Sequence, residues 1–492
     1  MERIVSIFFL PLLAYFSVAG ILPDMTNNNN RDTRIENKNT PIVESQYALS
    51  INPGNKASVS PLLMGFNVIY PHEKDSIWQD GKIASCLKEV GVGFIRYPGG
   101  TVCSYYHWNA LTGVGWADSW DPMNPVEPKS GSEFMDIDEY MALVRKTGAT
   151  PLVGINVSSG WRWDRLQDGL DEAIALMKYC READFEVIYW YLDNEPYQHD
   201  SNGGTKTPEV YAELINAYAP VMKAFDPDIK IVVNWNSGFK NKRNEYDRLL
   251  RLAGKNIDVI DVHWYWSWSN TSWEKWFEKT PLVQWTGYTY DSEISYFRQL
   301  VDEAGYPDIK LASFEWNTGP VKAGNSLTAN RAAFIHTEMM MQFIKGGLDY
   351  AVFWPIHWPE KSSLIRSFFN TATGTVNPVF HMFKFLGKMQ NGLLLESEII
   401  KNRDNMVSLA VQDEDNNQLR ICIINKNAQA LVSEIDMVKF PGMTLTEAYK
   451  YTVSEDGSMY SLDELDWKTR KPGFTHFVSE GISVTMLLFS SL

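Results

Sequence analysis

Hydrophobic and polar positions along residues 60–390 repeat in a regular order: a short apolar run, then a segment whose apolar residues recur every three or four positions. The short runs are rich in β-branched and aromatic residues, so the pattern predicts β-strands alternating with α-helices. The predicted strands are 62–68, 94–100, 150–158, 187–192, 229–235, 257–265, 309–317 and 350–355. Eight such repeats favour an α/β fold of the closed (β/α)8 TIM-barrel type over an open sheet.

The pattern changes after Pro378. Residues 379–389 have helical spacing, and from Leu393 onward short alternating runs predict antiparallel strands. The chain therefore divides into a catalytic barrel over 60–390 and a smaller C-terminal antiparallel β-sandwich domain over 391–492. A short predicted strand at 46–59 precedes the barrel, and we expect it to pair into the sandwich.

The first 45 residues differ from everything that follows. Arg3 precedes an apolar run over 4–18, which predicts a signal peptide over 1–20. An uncleaved membrane anchor is the alternative, and Pro11 and the short length of the run disfavour it. Residues 21–45 are polar and Asn-rich, which predicts a disordered tether. We therefore expect a secreted or periplasmic protein.

Composition narrows the possible partners. A length of 492 residues suits one large domain with a smaller one. The net charge of −15 argues against nucleic acid as a partner, and beyond the export segment no membrane partner is predicted. The cysteines form neither a metal-ligand pattern nor a disulfide framework, and no metal or other cofactor is predicted. They are Cys86, Cys103, Cys180 and Cys422.

Two of the predicted strands carry a glutamate at the C-terminal end. Strand 187–192 runs into Asp193-Asn-Glu-Pro196, and strand 309–317 contains Glu315. Barrel enzymes present their catalytic residues at this end of the strands. A pair of carboxylates, one donating a proton and one attacking as nucleophile, cleaves a glycosidic bond with retention when the two groups lie about 5–5.5 Å apart. The fourth and seventh strands face each other across a barrel, so this separation is within reach.

The motif Asn194-Glu-Pro196 closing strand four, together with Glu315 closing strand seven, resembles clan A of the glycoside hydrolases. The resemblance implies that Glu195 is the acid/base, that Glu315 is the nucleophile, and that Asn194 bonds the sugar 2-hydroxyl. Arg96 matches the strand-two arginine of the clan, and a guanidinium there would keep Glu315 ionised. A structural salt bridge is the alternative role for Arg96.

Further substrate-binding residues follow from the same resemblance. His263 and Tyr265 end strand six, where the clan often has a side chain that touches the nucleophile, although a buried core histidine is the alternative. Trp354 matches the aromatic floor beneath the cleaved sugar, and the Trp354–Pro355 peptide bond is predicted to be cis. The remaining predicted sugar-binding side chains are Trp108, Trp264 and Trp266.

Three families of the clan are similar to this chain. Leu192-Asp-Asn-Glu-Pro196, Arg96-Tyr-Pro-Gly-Gly100 and Tyr106-His-Trp-Asn109 resemble the family 44 endoglucanases and xyloglucanases and the family 51 arabinofuranosidases. The agarases and porphyranases of family 86 share the general plan. The chain departs from the arabinofuranosidases at Asp193, where they usually carry Gly.

Tryptophans crowd the loop after strand six, and flat aromatic faces suit stacking against sugar rings. They are Trp264, Trp266, Trp268, Trp273, Trp276 and Trp285. Such platforms along an open cleft favour a secreted retaining endo-β-glycanase acting on a plant or algal cell-wall polysaccharide, of the xyloglucan/glucan or agarose/porphyran type. An exo-acting α-L-arabinofuranosidase or β-glucuronidase is the alternative enzyme. A non-catalytic carbohydrate-binding protein is the alternative of another class, and a metal-dependent hydrolase is disfavoured because no histidine pair has ligand spacing.

Overall fold

The structure is a computed structural model that describes residues 46–108, 116, 134–198, 204–236, 238, 241–268, 271–321, 326–358, 365–401, 405–471 and 473–491. These residues belong to the compact unit Glu44–Leu492. The signal peptide predicted at 1–20 and the tether predicted at 21–45 lie outside the described residues. Within the described residues, no helix combines the length and the apolar character needed to cross a membrane.

Eight parallel strands close into a barrel, as predicted. The first nine strands are β1 (Tyr47–Ser58), β2 (Leu62–Asn67), β3 (Phe94–Tyr97), β4 (Thr150–Ile155), β5 (Tyr189–Leu192), β6 (Lys230–Asn234), β7 (Val259–Trp266), β8 (Lys310–Thr318) and β9 (Tyr350–Phe353). Strands β2 to β9 form the barrel in chain order, and β9 pairs with β2 to complete it. Inward side chains such as Phe94, Tyr191 and Phe314 fill its interior.

Helices surround the barrel. They are α1 (Asp75–Trp78), α2 (Lys82–Glu89), α3 (Ile137–Thr147), α4 (Ser158–Arg162), α5 (Leu166–Glu182), α6 (Pro208–Phe225), α7 (Arg243–Ala253), α8 (Trp273–Glu278), α9 (Tyr290–Glu303), α10 (Ala329–Gly346) and α11 (Val379–Gly387). Local chemistry sets several starts: the Asp136 and Glu139 side chains form a reciprocal capping box at α3, and Thr207 caps α6 just before Pro208. Helix α10 is buried along most of its length.

The remaining strands form the predicted antiparallel domain, apart from a small hairpin. They are β10 (Phe369–Asn370), β11 (Thr375–Val376), β12 (Leu393–Lys401), β13 (Met406–Asp413), β14 (Gln418–Asn425), β15 (Leu431–Asp436), β16 (Met443–Val453), β17 (Tyr460–Glu464), β18 (Trp467–Lys471), β19 (Phe474–Ser479) and β20 (Ser483–Ser491). Strands β10 and β11 make the hairpin. The others join β1 in one continuous ten-stranded sheet around its own hydrophobic core. Strand β1 lies between β12 and β15, antiparallel to the first and parallel to the second.

Candidate active site

The C-terminal ends of the barrel strands bring Glu195, His263 and Glu315 together. One potential ligand atom from each of these side chains lies within 4.8 Å of the others. A carboxylate oxygen of Glu195 and one of Glu315 therefore lie within 4.8 Å of each other, which is compatible with the about 5–5.5 Å between the carboxyl groups of a retaining pair. The strand register explains part of this arrangement, because His263 on β7 pairs directly with Glu315 on β8.

Arg96, at the end of β3, binds three neighbouring side chains. Its Nη1 donates to Glu315 Oε1 at 2.7 Å and to Asn67 Oδ1 at 3.1 Å, and its Nη2 donates to Asn194 Oδ1 at 2.7 Å. Although burial opposes the charged guanidinium, nearby negative groups, Glu315 among them, raise the pKa of Arg96. The expected contact between Arg96 and Glu315 is present, and it stabilises negative charge on that carboxylate.

Tyr265 holds the other oxygen of Glu315. Its hydroxyl donates to Glu315 Oε2 at 2.8 Å. Burial and the charge on Glu315 raise the pKa of Tyr265 well above its usual value, so the phenol keeps its proton and remains a donor. Donors from β3 and β7 thus hold both oxygens of Glu315, which fixes the plane of the carboxylate.

Glu195 is fixed through both its backbone and its carboxylate. Its backbone N–H donates to Asn234 Oδ1 at 2.9 Å, and its φ of 42° places it in the left-handed region. Oε1 lies 2.9 Å from His263 Nδ1 and 3.3 Å from the Tyr197 hydroxyl. A non-glycine residue in this conformation is uncommon and occurs where surrounding contacts hold it. Here those contacts present the carboxylate towards Glu315.

His263 lies between three carboxylates. Besides Glu195, its Nδ1 is 3.4 Å from Glu315 Oε2, and its Nε2 is 3.2 Å from Asp261 Oδ2. Burial lowers the pKa of His263, but the charges on Glu315 and Asp261 and its hydrogen bonds outweigh that effect and raise it to about 10. The ring is therefore an imidazolium at neutral pH, and both of its nitrogens are donors.

The same three side chains have the spacing of a possible metal site, but their hydrogen bonds fit a metal poorly. Arg96 and Tyr265 occupy the two oxygens of Glu315, and both nitrogens of His263 face carboxylates. A histidine that carries two protons has no lone pair for a metal. The donors present therefore fit an acid pair held by hydrogen bonds.

Trp354 lies at the end of β9, near the mouth of the barrel. It is buried beneath the Gly100 turn, its ring centroid lies 6.1 Å from that of Trp358, and the bond to Pro355 is cis as predicted. Asn317 on β8 donates to its carbonyl oxygen. This position suits the predicted aromatic floor.

The other three predicted sugar-binding tryptophans lie elsewhere. Side chains alternate along a strand, so while His263 and Tyr265 point inwards, Trp264 and Trp266 point outwards and are buried. Trp264 stacks on Phe343 of α10 and contacts Tyr290. Trp108 donates from Nε1 to the carbonyl of Glu172 in α5 and packs on Tyr179. Trp264 and Trp266 belong to the core and present no face to a sugar, because aromatic content and spacing do not distinguish a stacking face from core packing. Trp108 is partly exposed, and its sugar-binding role stays a prediction.

Sequence reasoning missed residues that support the acid pair. Asn234 accepts from the Glu195 backbone and donates to Asp261 Oδ2 at 2.8 Å, while Asp261 Oδ1 accepts from the Phe314 N–H at 2.6 Å. Asn67, at the end of β2, donates to the carbonyl of Phe314 at 2.9 Å. In the sequence, each of these residues is a polar position within an apolar strand or at its end, and this feature could have identified them. Asp261 also stands two residues before His263, on the same face of β7.

Asp193 anchors the turn that carries Glu195. It is fully buried, with a φ of 67°, and pairs with Lys206 Nζ at 3.2 Å. Ser104 donates to it at 2.5 Å, and Ser158 also donates to it. An aspartate tolerates the left-handed region better than most residues, and here its side chain ties three loops together.

Sequence comparison finds related enzymes over part of the chain. No protein-family model matches. α-L-Arabinofuranosidase C of Emericella nidulans is 30% identical over 208 residues, which cover 37% of this chain and 38% of that protein. An intracellular exo-α-(1→5)-L-arabinofuranosidase of Bacillus subtilis is 25% identical over 232 residues, 40% of this chain and 42% of that protein. The matches thus span about two fifths of the length of these relatives.

Solved structures show that the fold is shared over most of the chain. A GH51 α-L-arabinofuranosidase from Thermotoga petrophila is 18% identical with a TM-score of 0.68, covering 90% of this chain and 99% of that one. This chain resembles the family 51 arabinofuranosidases. A bifunctional glucanase-xylanase from a metagenome library has the same fold, with 15% identity and a TM-score of 0.63 over 92% of this chain and 100% of that one. The resemblance to clan A glycoside hydrolases is confirmed, with family 51 the best supported of the three families compared.

Proposed function

We propose that the protein is a retaining α-L-arabinofuranosidase that removes terminal arabinofuranose from a glycan. The observation that carries the proposal is the pair Glu195 and Glu315, with carboxylate oxygens within 4.8 Å at the ends of β5 and β8. The arabinofuranosidase relatives supply the substrate class. The sequence alone favoured an endo-β-glycanase, with the arabinofuranosidase as the alternative. The relatives and the site together favour the arabinofuranosidase.

The expectation of an endo-acting cleft rested on stacking tryptophans, and most of them belong to the core. Trp264, Trp266, Trp273 and Trp276 are buried. Trp273 and Trp276 stack on each other with a 4.8 Å separation between their ring centroids. An enzyme that takes one terminal sugar needs few platforms, so the burial of these side chains favours exo action.

The geometry suits a double displacement. In the first step Glu315 attacks the anomeric carbon and Glu195 gives its proton to the departing glycosidic oxygen, leaving a glycosyl ester on Glu315. In the second step the Glu195 carboxylate takes a proton from water, whose oxygen attacks the anomeric carbon and releases Glu315. The His263 imidazolium, 2.9 Å from Glu195 Oε1, would stabilise the charge that Glu195 carries between the two steps.

The test measures hydrolysis of p-nitrophenyl α-L-arabinofuranoside by the full chain. We expect Glu315→Ala to abolish turnover, and azide to restore turnover of that variant with inversion. Glu195→Ala should lose ~10²-fold or more on substrates with poor leaving groups, and azide should rescue it with retention. Glu182→Ala, at an exposed glutamate on α5, is the control and should behave as wild type. Full activity of Glu315→Ala would remove this residue from the mechanism.

An endo-β-glycanase is the second candidate because four tryptophans among the described residues are exposed. They are Trp161, Trp163, Trp268 and Trp285. Chromatography of the first products from arabinoxylan, arabinan and xyloglucan separates the two functions. Arabinose alone supports the exo reading, and a ladder of oligosaccharides supports the endo reading.

We also propose that the protein is exported, from the apolar run at residues 4–18. Fractionation of expressing cells tests this directly. Recovery of the processed chain outside the cytoplasm would support export, and recovery of the unprocessed chain inside would contradict it.

A further inference from the structure

Arg366 lies beside the nucleophile but belongs to none of the interactions that hold the acid pair. It follows β9 and precedes β10, and its carbonyl oxygen accepts from Asn317 Nδ2 at 2.6 Å, which fixes its backbone against the end of β8. Its guanidinium carbon lies 5.4 Å from the ring centroid of Tyr265, the residue that donates to Glu315. On the other side it lies 5.7 Å from the ring of Trp268.

Arg366 is largely buried and has no counter-charge among the residues that the structure describes. Only 9% of the residue is exposed, its Nε has no hydrogen-bond partner, and no carboxylate among the described residues forms an ion pair with it. Arg96, by contrast, binds Glu315 directly. Burying an unpaired charge is costly, so an unpaired guanidinium in this position indicates a binding site for an anion. Burial lowers the pKa of Arg366, opposed by the charge on Glu315.

The charges around the acid pair also indicate that an anion binds here. When Glu195 holds its proton for the first step, Glu315 and Asp261 supply two negative charges. Arg96, His263 and Arg366 supply three positive charges, since the pKa of His263 is about 10. The group is left with one excess positive charge, which a substrate with a single negative charge would neutralise.

Trp268 provides an open wall for such a substrate. It is 45% exposed, and its ring meets the Tyr265 ring at 78° with 4.9 Å between centroids. An aromatic face stacks on a sugar ring, and a guanidinium binds a carboxylate through two parallel hydrogen bonds. A sugar stacked on Trp268 would bring a ring carboxylate within reach of Arg366.

We propose that Arg366 and Trp268 form a subsite for a uronic acid, a sugar with a ring carboxylate, next to the sugar that is cleaved. The inference rests on the proposed function for its placement in the cleft, and it adds that the glycan is acidic. Arg366 binds the carboxylate and Trp268 stacks on the ring. A sulfated sugar offers a similar charge without the planar carboxylate that matches the guanidinium.

The first experiment measures binding without catalysis. Tryptophan fluorescence or calorimetry compares methyl β-D-glucuronide, methyl β-D-glucoside and methyl β-D-galactoside 6-sulfate. We expect the wild type to bind the glucuronide about 10-fold or more tighter than the glucoside, as a charge-assisted hydrogen bond allows. Equal binding of these two sugars by the wild type would overturn the proposal, and a preference for the sulfate would replace the uronate with a sulfate.

Variants test whether Arg366 causes the preference for the glucuronide. Arg366→Gln should reduce the ratio of glucuronide to glucoside binding to about one, and Arg366→Lys should recover part of it. Arg248→Gln removes a positive charge from an exposed pair with Glu209 and should leave the ratio unchanged. If Arg366 acted only as a second counter-charge for Glu315, Arg366→Gln would lower kcat on every substrate and leave this ratio intact. Because these methyl glycosides contain no arabinofuranosyl bond, the binding result does not depend on arabinofuranosidase activity, and the Glu315→Ala variant repeats the measurement without turnover.

Discussion

At the scale of single residues, His263 couples the acid pair to pH. Its pKa rises from 6.5 to about 10 in the folded chain, so folding favours the protonated ring. The resulting stability is fully present below pH 6.5 and is lost as the pH rises through about 10. The carboxylates that raise this pKa, Glu315 and Asp261, belong to the site, so stability and catalysis depend on one proton.

We therefore predict that the free energy of unfolding falls between pH 6.5 and 10, and that His263→Asn flattens this decline. The variant lacks the titrating ring, so the difference in free energy of unfolding between wild type and variant should shrink by ~2–4 kcal/mol as the pH rises over that interval. Urea unfolding at several pH values measures both curves. Parallel curves for the two proteins would show that another group controls the pH dependence.

Asp193 gives a second prediction at this scale. Asp193→Gly leaves the Lys206 ammonium buried without its carboxylate and should cost ~3–5 kcal/mol. In the double variant Asp193→Gly/Lys206→Met no charge is buried, and glycine suits the φ of 67°. Urea unfolding should therefore show most of the stability restored. A double variant no more stable than Asp193→Gly would mean that the aspartate acts through its bonds to Ser104 and Ser158 instead.

How much of the site the sequence could predict depended on residue type. Glu195, Glu315 and Arg96 stood out because charged residues rarely end apolar strands without a purpose. Asn67 and Asn234 carry no charge, and their role is visible only once β2 and β6 lie beside their neighbours in the barrel. Local sequence does not contain that information.

At the scale of elements, the turn after β3 is fitted to the aromatic residue at the end of β9. Gly100 has a φ of 64°, and a Cβ there would lie 2.4 Å from Trp354 Cη2. Gly148, after α3, has a φ of 74°, and a Cβ added there would have no neighbouring atom within 4 Å. Both glycines therefore need a left-handed backbone, but only at Gly100 would a side chain collide with a neighbouring residue.

We predict that Gly148→Ala costs only the left-handed backbone penalty, ~1–2 kcal/mol, and leaves activity unchanged. Gly100→Ala should cost more and also raise the KM, because the methyl group displaces Trp354. Thermal unfolding and steady-state kinetics of the two variants test this. If the two substitutions had equal effects on stability and on KM, the contact between Gly100 and Trp354 would not shape the substrate site.

The elements themselves were predictable where the pattern was periodic. The eight strands and the order of domains followed from spacing alone. The orientation of individual aromatic side chains did not, because a strand buried on both faces is apolar in every position. Trp264 and Tyr265 are neighbours of similar chemistry, yet one packs against α10 and the other binds Glu315.

At the scale of the whole molecule, the barrel and the ten-stranded sheet are joined through a buried ion pair. Glu338 of α10 accepts from Lys426 at 2.6 Å and from Trp276 Nε1 at 2.6 Å. The Lys426 ammonium also lies 4.5 Å from the Trp276 ring. Burial lowers the pKa of Lys426, and Glu338 opposes the shift. The helix is thus tied to the loop after β14 by charge as well as by apolar packing.

We predict that Lys426→Met destabilises the protein by ~3–5 kcal/mol, because the Glu338 carboxylate loses its buried partner. Glu338→Gln/Lys426→Met should recover much of this loss. Glu303→Gln, which breaks an exposed pair with Arg243, should leave stability almost unchanged. Urea unfolding measures all three, and a Lys426→Met variant as stable as Glu303→Gln would contradict the importance of the buried pair.

The position of β1 has a consequence for how the polypeptide is made. Ala48 pairs with Lys401 and with Glu434, so the earliest described strand has no neighbour until the ribosome has produced everything between them. The barrel can fold during synthesis, whereas β1 remains unpaired until its partner strands are made. An unpaired strand can associate with another chain. Expressing residues 391–492 without β1 would leave a gap in the middle of the sheet. Supplying the missing segment as a separate peptide would be a route to a split version of this protein.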